Sequence, residues 1–399
     1  MRLVEFVPPV PHPLWKLCLQ MGITEVIVKV NPDLTGLADP WRYETLSSIV
    51  SRLKSAGLRV VGLEGDPFDM SPIKEYGAGD DSLAAKNAKD AKREESLAHY
   101  RELLESMGRL GIKLLCYNFM VGTGWSRTGV REGRGGAKAT YFALTEAAGK
   151  SEEAVARPGG AVAPQLPRDE SGRAVAPRPP RTAREAFPAG GTEGLAAASE
   201  LKISHAQVWA NYDYFIKAVL PTAERCGIRM GLHPDDPCLP SLGGYARIFG
   251  SVEAYDRAYA LYPSPSNAIT FCQANFKLML TCDTCVAPGE SSPRQSNNQT
   301  LEAIVRHFGS RIAFIHVRDV EGTREDFTEL FHDQGDIDQF ALMRTYREIG
   351  LDVPVRGDHV PEMEGDRLLT PEGTPGYFTL GRLFANGYLK ALLRGTGNG

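Results

Sequence analysis

The strongest constraint on this chain is an alternation, kept from end to end, of short apolar runs with longer amphipathic stretches. Eight runs read as strands: residues 2–6 (RLVEF), 24–30 (TEVIVKV), 59–64 (RVVGLE), 113–119 (KLLCYNF), 229–233 (RMGLH), 268–272 (AITFC), 311–318 (RIAFIHVR) and 353–358 (VPVRGD). Their largely apolar, often β-branched character suits parallel strands covered on both faces. Helices are expected over 41–56, 82–111, 201–227, 299–308, 337–349 and 377–394, the first carrying Leu46, Ile49, Val50 and Leu53 at helical spacing. Eight strands with intervening helices predict an α/β fold, a (β/α)8 TIM barrel, as one catalytic domain over 1–399. An open doubly wound sheet is the alternative. It usually has fewer strands, and no Gly-rich dinucleotide turn follows the first strand here.

Two segments interrupt the alternation: 129–200 after the fourth strand and 274–298 after the sixth. Residues 151–200 hold seven prolines, six glycines and one aromatic, Phe187. So little apolar surface cannot offset the entropy of ordering the segment, which reads either as a disordered insertion or as a lid on the active-site face. Cys282 and Cys285 spell C-x-x-C in the second insertion. Nothing nearby completes a zinc or redox motif, so free thiols are expected.

Composition serves mainly to exclude. A net charge of −4 gives no reason to expect nucleic acid or an anionic membrane as partner. No apolar run approaches the roughly 20 residues that a bilayer span takes. The prolines at 8, 9, 11 and 13 interrupt any signal-peptide core. Seven scattered cysteines do not resemble a disulfide framework, and a cytoplasmic location follows as the expectation. A homo-oligomer stays open.

Reactive side chains gather at the C-terminal ends of the last four strands. Strand five runs into His233-Pro-Asp235-Asp236-Pro, strand six ends in Cys272, strand seven in His316-Val-Arg318-Asp319, and strand eight in Arg356-Gly-Asp358-His359. In a barrel these ends share one mouth. Singly, each has an ordinary structural explanation: a hydrogen-bonded histidine, a buried thiol, a helix cap. Jointly, two imidazoles, a thiolate and a carboxylate form a suitable ligand set for a divalent transition metal.

At this point the chain resembles the mannonate dehydratases. The matching phrases are C-Y-N-F-M at 116–120, W-S-R-T at 125–128, H-P-D-D-P at 233–237 and S-N-A-I-T-F-C at 266–272. They continue with R-I-A-F-I-H-V-R at 311–318, H-D-Q-G-D-I-D at 332–338, R-G-D-H at 356–359 and T-P-G-Y-F-T-L-G-R at 374–382. The resemblance implies a TIM barrel with a manganese-type site, Fe2+ or Co2+ being substitutes, built from His233, Cys272, His316 and Asp358. It implies proton transfer by His359 and Tyr377, with Arg318, Asn118, Arg127 and Glu64 as substrate contacts. Asp235 and Asp236 are read as supporting or loop-fixing residues. The implied reaction is loss of water from a small sugar acid, D-mannonate or a related aldonate.

The chain departs from the family's phrasing at L-E-G-D-P (63–67), at Val360-Pro361 after the R-G-D-H phrase, at Thr328 and at the Val-Pro-Pro that ends strand one. These positions are expected to face the pocket, so the sugar acid can differ while the metal and the acid–base pair persist. Two other readings compete: a divalent-metal sugar isomerase or epimerase, and a barrel that binds without turnover. Metal-dependent isomerases favour carboxylate-rich sites, whereas here Glu64 is the one obvious strand-end Glu.

Overall fold

A computed structural model describes residues 1–31, 35–37, 39–79, 83–147, 201–280, 293–371 and 373–397. Its strands are β1 (Arg2–Leu3), β2 (Glu5–Val7), β3 (Glu25–Val28), β4 (Arg59–Glu64), β5 (Leu114–Tyr117), β6 (Gly129–Glu132), β7 (Lys138–Ala143) and β8 (Arg229–Leu232). Then follow β9 (Ser241–Leu242), β10 (Tyr245–Ala246), β11 (Asn267–Cys272), β12 (Ile312–Val317), β13 (Val320–Gly322), β14 (Asp326–Glu329) and β15 (Pro354–Gly357). All eight expected strands are present, with ends shifted by one or two residues.

Nine of these strands form one parallel sheet in the order β1-β15-β12-β11-β8-β5-β4-β3-β2. β1 and β2 are two halves of a single N-terminal strand. Leu3 pairs with Val355 on β15, Glu5 pairs with Val26 on β3, and between them the Val4 N–H donates to Val355 O at 2.9 Å. Both ends of the sheet are therefore the same strand, and the sheet is a closed eight-stranded TIM barrel.

Helices at Tyr43–Ser55, Leu83–Arg109, His205–Cys226, Pro293–Phe308, Gln339–Glu348 and Thr379–Gly395 match the expected ones. Local chemistry sets their limits. The Ser204 hydroxyl accepts from Gln207 N at the start of His205–Cys226, and Gly227 ends it at φ 62. Leu46, Ile49 and Leu53 are buried as the spacing implies, in the layer between helices and barrel. The helices Pro13–Gln20 and Val252–Leu261 were not expected. The first is capped by the His12 ring, an unusual capping group, which accepts from Leu14 N at 3.1 Å. Among the described residues no helix is long and apolar enough to cross a membrane.

The insertions differ from expectation where they are described. Residues 129–143 form the hairpin β6–β7, and β7 pairs with β14 in a second, four-stranded antiparallel sheet, β13-β14-β7-β6. Phe142 packs on Phe327 with ring centroids 5.9 Å apart. That partner lies far along the chain, so a local reading could not see it. In the second insertion, Gln273–Leu280 is a helix leaving β11 directly, and the next helix begins at Pro293 rather than 299. Residues 148–200, and Cys282 with Cys285, lie outside the described residues.

The barrel interior is narrow and apolar at one end, where Val4, Ile27, Leu114, Cys116, Ala268 and Phe314 form one cluster. Glycine is required at close approaches. A Cβ on Gly231 would lie 2.6 Å from Thr270 Oγ1, and one on Gly62 would lie 2.8 Å from Ile27 Cδ1. Gly231→Ala is expected to lower stability by about 1–3 kcal/mol, the usual cost of an overpacked core. Urea unfolding checks it: the midpoint falls at unchanged slope, and adding Thr270→Ala recovers part of the loss.

Candidate active site

Strand register brings the reactive residues together. Cys272 on β11 stands opposite His316 on β12, which stands opposite Arg356 on β15. Because side chains alternate across a strand, Asp358, two residues beyond Arg356, faces the same way as Arg356. His233 follows β8, its backbone N–H held by Tyr117 O at 2.7 Å. One ligand atom from each of His233, Cys272, His316 and Asp358 can be chosen so that all lie within 4.8 Å of one another. His316 Nδ1 is 3.6 Å and Cys272 Sγ 3.9 Å from Asp358 Oδ2, and the two histidine rings are 5.2 Å apart.

This group fits a metal ion on its own evidence. His316 is wholly buried, yet neither ring nitrogen has a hydrogen-bond partner. Leaving buried polar atoms unpaired is costly, and a coordinated ion would remove that cost on one side. The set of two imidazoles, a thiolate and a carboxylate is one that borderline divalent cations accept. Electrostatics prepare the thiol. Burial would push Cys272 up, but the neighbouring His233 and His316 imidazoles and the nearby Arg318 bring its pKa down to about 6. Burial and Arg356 oppose charge on His316, yet Glu64 and Asp358 hold its pKa well above the ordinary histidine value.

Beside this group lies a second pair. His359 Nε2 is 3.0 Å from Tyr377 OH, and that hydroxyl is 3.4 Å from Asp358 Oδ1. The Trp125 ring lies 4.4 Å from the His359 ring and 5.9 Å from that of Tyr377, and Phe6 lies 6.0 Å from Tyr377. These aromatic rings flank the pair, with His359 buried and Tyr377 half-buried. Burial lowers the His359 pKa, with Asp358 and Glu329 opposing only in part. Burial, reinforced by Asp358, raises Tyr377 well above the usual phenol. Both shifts favour the uncharged forms, the state from which a proton-relay pair starts.

The residues expected to touch substrate have protein partners of their own. Arg318 is fully buried, and its guanidinium is taken by Glu329 (2.6 and 2.8 Å), Asp236 (2.8 Å) and Asn275 (2.7 Å). Arg127 is likewise buried and binds Asp236 (2.8 and 3.0 Å) and Glu329 (2.6 and 3.1 Å). Glu64 is gripped by Arg356 at 2.5 and 3.1 Å and faces His316 Nε2 at 3.6 Å. Burial would raise its carboxyl, but Arg356 and His316 hold it down to about 2. The polar atoms of these three side chains are engaged by protein partners in this structure. Asn118 stays half-buried at the mouth, its Oδ1 accepting from Lys74 Nζ at 3.0 Å and from Met120 N at 3.1 Å.

Asp235 and Asp236 divide the supporting work expected of them. Asp235 accepts from Phe249 N at 2.7 Å, fixing the loop, while Asp236 joins the two arginines. Sequence reasoning missed Glu329, Asn275 and Trp125. Glu329 ends an exposed-looking D-F-T-E stretch, and its burial follows only from β14 joining the second sheet. Asn275 links Cys272 to the loop, its Oδ1 2.9 Å from Sγ and its Nδ2 donating to Asp235 O at 3.0 Å. Trp125 was visible in the W-S-R-T phrase, but nothing in a sequence shows that its indole N–H is buried without a partner.

Comparison with known proteins bears on all of this. A family model described as D-mannonate dehydratase (UxuA) matches residues 80–398. A mannonate dehydratase of Streptococcus equi subsp. zooepidemicus is 27% identical over 380 residues, covering 94% of this chain and 90% of that protein. One from Brachyspira hyodysenteriae is 26% identical over 379 residues, covering 93% and 91%. In fold, the crystal structure of mannonate dehydratase from Streptococcus suis serotype 2 matches with a TM-score of 0.71 at 23% identity, covering 99% of this chain and 93% of that one. A D-tagatose 3-epimerase-like protein shares the barrel more loosely, with a TM-score of 0.52 at 10% identity and coverage of 99% and 98%. With four-fifths of its length matched by the family model, this chain belongs to the D-mannonate dehydratase family.

Proposed function

We propose that the chain removes water from a six-carbon sugar acid of the mannonate type, giving a 2-keto-3-deoxy acid. The observation that carries this reading is the adjacency of the His233–Cys272–His316–Asp358 group to the His359–Tyr377 pair, Asp358 belonging to the first and touching the second. The four residues would hold a divalent metal, with Mn2+ preferred and Fe2+ or Co2+ accepted, which suits a mixed N, S and O ligand set. When bound, such an ion supplies Lewis-acid stabilisation of negative charge on the substrate's carboxylate and hydroxyl oxygens.

The chain's own residues supply the rest. Dehydration across C2 and C3 needs a proton taken from the carbon beside the carboxylate and another delivered to the departing C3 hydroxyl. His359 and Tyr377 sit 3.0 Å apart with their uncharged forms favoured, so one can accept while the other donates. Trp125 and Phe6 pack beside that pair and restrict where its rings can point. Glu64 behind His316, itself fixed by Arg356, orients the ring so that Nδ1 faces Asp358 and the thiol. Asn118 is the substrate contact we retain. We place the reaction in the cytoplasm, in keeping with the free state of Cys18, Cys116, Cys226, Cys238 and Cys272.

Purified protein given six- and five-carbon aldonates with Mn2+, Co2+ or Mg2+ is expected to form a product that semicarbazide detects. Chelation or His316→Asn should abolish it. No turnover of any aldonate would sink the dehydratase reading, and turnover indifferent to both treatments would sink the metal assignment.

The charge state of the ligand set gives a second prediction. Cys272, its pKa brought down to about 6, gives up its proton readily, whereas Glu64 and Asp358 hold the extra proton on His316 more tightly than on an ordinary histidine. Metal binding must displace that proton, so affinity should rise with pH above neutrality. Calorimetry of Mn2+ binding in buffers of differing ionisation enthalpy should show about one proton released per ion, against none if His316 were already neutral.

A further inference from the structure

Glu329 is absent from the reasoning that assigns the metal group and the proton-transfer pair, yet it is the buried residue on which the pair's orientation turns. It lies at the end of β14, 1% exposed, and its Oε1 is 3.1 Å from His359 Nδ1. Three donors of the two arginines, Arg127 Nε and Nη2 and Arg318 Nη2, also point at this oxygen, and Arg318 Nε holds Oε2 at 2.8 Å. Burial alone would raise the Glu329 pKa, but Arg318 and Arg127 hold it well below the usual carboxylate range. The carboxylate is therefore an acceptor only.

An acceptor at that distance needs a hydrogen on the imidazole nitrogen. The one competing donor is Arg127 Nη2, 3.2 Å from His359 Nδ1. Its two hydrogens are already directed at Asp236 Oδ2 (3.0 Å) and Glu329 Oε1 (2.6 Å), so none is left for the ring. We infer that Glu329 is a positioning residue, which keeps a hydrogen on His359 Nδ1 and so leaves Nε2, facing Tyr377 and the substrate, as the nitrogen that gains and loses the proton. The same logic operates wherever a buried carboxylate orients a catalytic imidazole.

This inference rests on the dehydratase reading for its consequence, which is a direction for the chemistry. His359 Nε2 accepts the proton from substrate C2, and the C–H electron pair becomes the C2=C3 bond. The C3–O bond breaks, and the leaving oxygen takes the Tyr377 hydroxyl proton and departs as water. The proton on Nε2 then returns to the phenolate across the 3.0 Å between them, and the enol product tautomerises to the ketone.

Two measurements test it. In protein labelled with 15N-histidine and loaded with diamagnetic Mg2+ at pH 8, two-bond 15N–1H spectra report which nitrogen of each ring carries its proton. Loss of signals in His359→Gln identifies His359. The expected result is Nδ1–H, and an Nε2–H ring in the wild type overturns the inference. This spectrum needs no substrate, so it stands or fails independently of whether any aldonate is turned over. In the kinetic arm, Glu329→Gln keeps the shape and removes the charge. It should lower kcat about 10²–10⁴-fold, with KM changed by no more than about threefold. A variant that folds and binds metal with kcat near wild type, or that loses only KM and thermal stability, overturns it. Should that variant fail to fold, the wild-type spectrum decides alone.

Discussion

The mouth of this barrel depends on four buried charges that cancel: Arg127 and Arg318 against Asp236 and Glu329. Each comes from a different segment, namely the loop after β5, the end of β12, the loop after β8 and the end of β14. None is more than 4% exposed. Taking one charge of such a group out of water is expensive, and deleting a single partner leaves the others uncompensated, at a typical cost of about 3–5 kcal/mol. The arrangement holds only when all four segments are in place. It then touches the site twice: Arg318 Nη1 lies 3.7 Å from Cys272 Sγ, and Glu329 meets His359.

His316 has the complementary situation. Its two nitrogens look in opposite directions, one toward Asp358 and the other toward Glu64, each at 3.6 Å. Glu64 also lies with Cys116 in a second cluster of ligand-type atoms around this ring. Arg356 bonds Glu64 and stands 3.0 Å from Asp358, so a guanidinium sits where a second cation would be repelled. The asymmetry turns one side of the ring to Asp358 and the group of ligand-type atoms around it, and the other to the Arg356-held Glu64.

The barrel was legible because its signal is local. Runs such as RVVGLE at 59–64 carry their β character in themselves, and eight of them in alternation leave few architectures. The gathering of His233, Cys272, His316 and Asp358 was legible for a related reason: each sits at a strand terminus, and the fold converts that common position into proximity. The protein partners of Arg127, Arg318 and Glu64 were not legible, because a charged side chain at a barrel mouth looks alike in sequence whether it meets a ligand or a buried counter-charge. The deciding partner, Glu329, enters through β14 and the sheet it makes with β7, a pairing between segments almost 190 residues apart that no periodicity encodes. The helix Pro13–Gln20 escaped notice for a smaller reason, its histidine cap.

The split first strand bears on how such a chain reaches its native state. Residues 2–3 complete their hydrogen bonding only against residues 354–355, so one seam of the cylinder joins partners about 350 positions apart. A polypeptide interrupted before that last strand would present two raw sheet edges instead of none, the condition that invites pairing with other molecules. Because loop-closure entropy must be met before so distant a contact forms, the seam is a natural late event, and intermediates that lack it are those most exposed to misassembly.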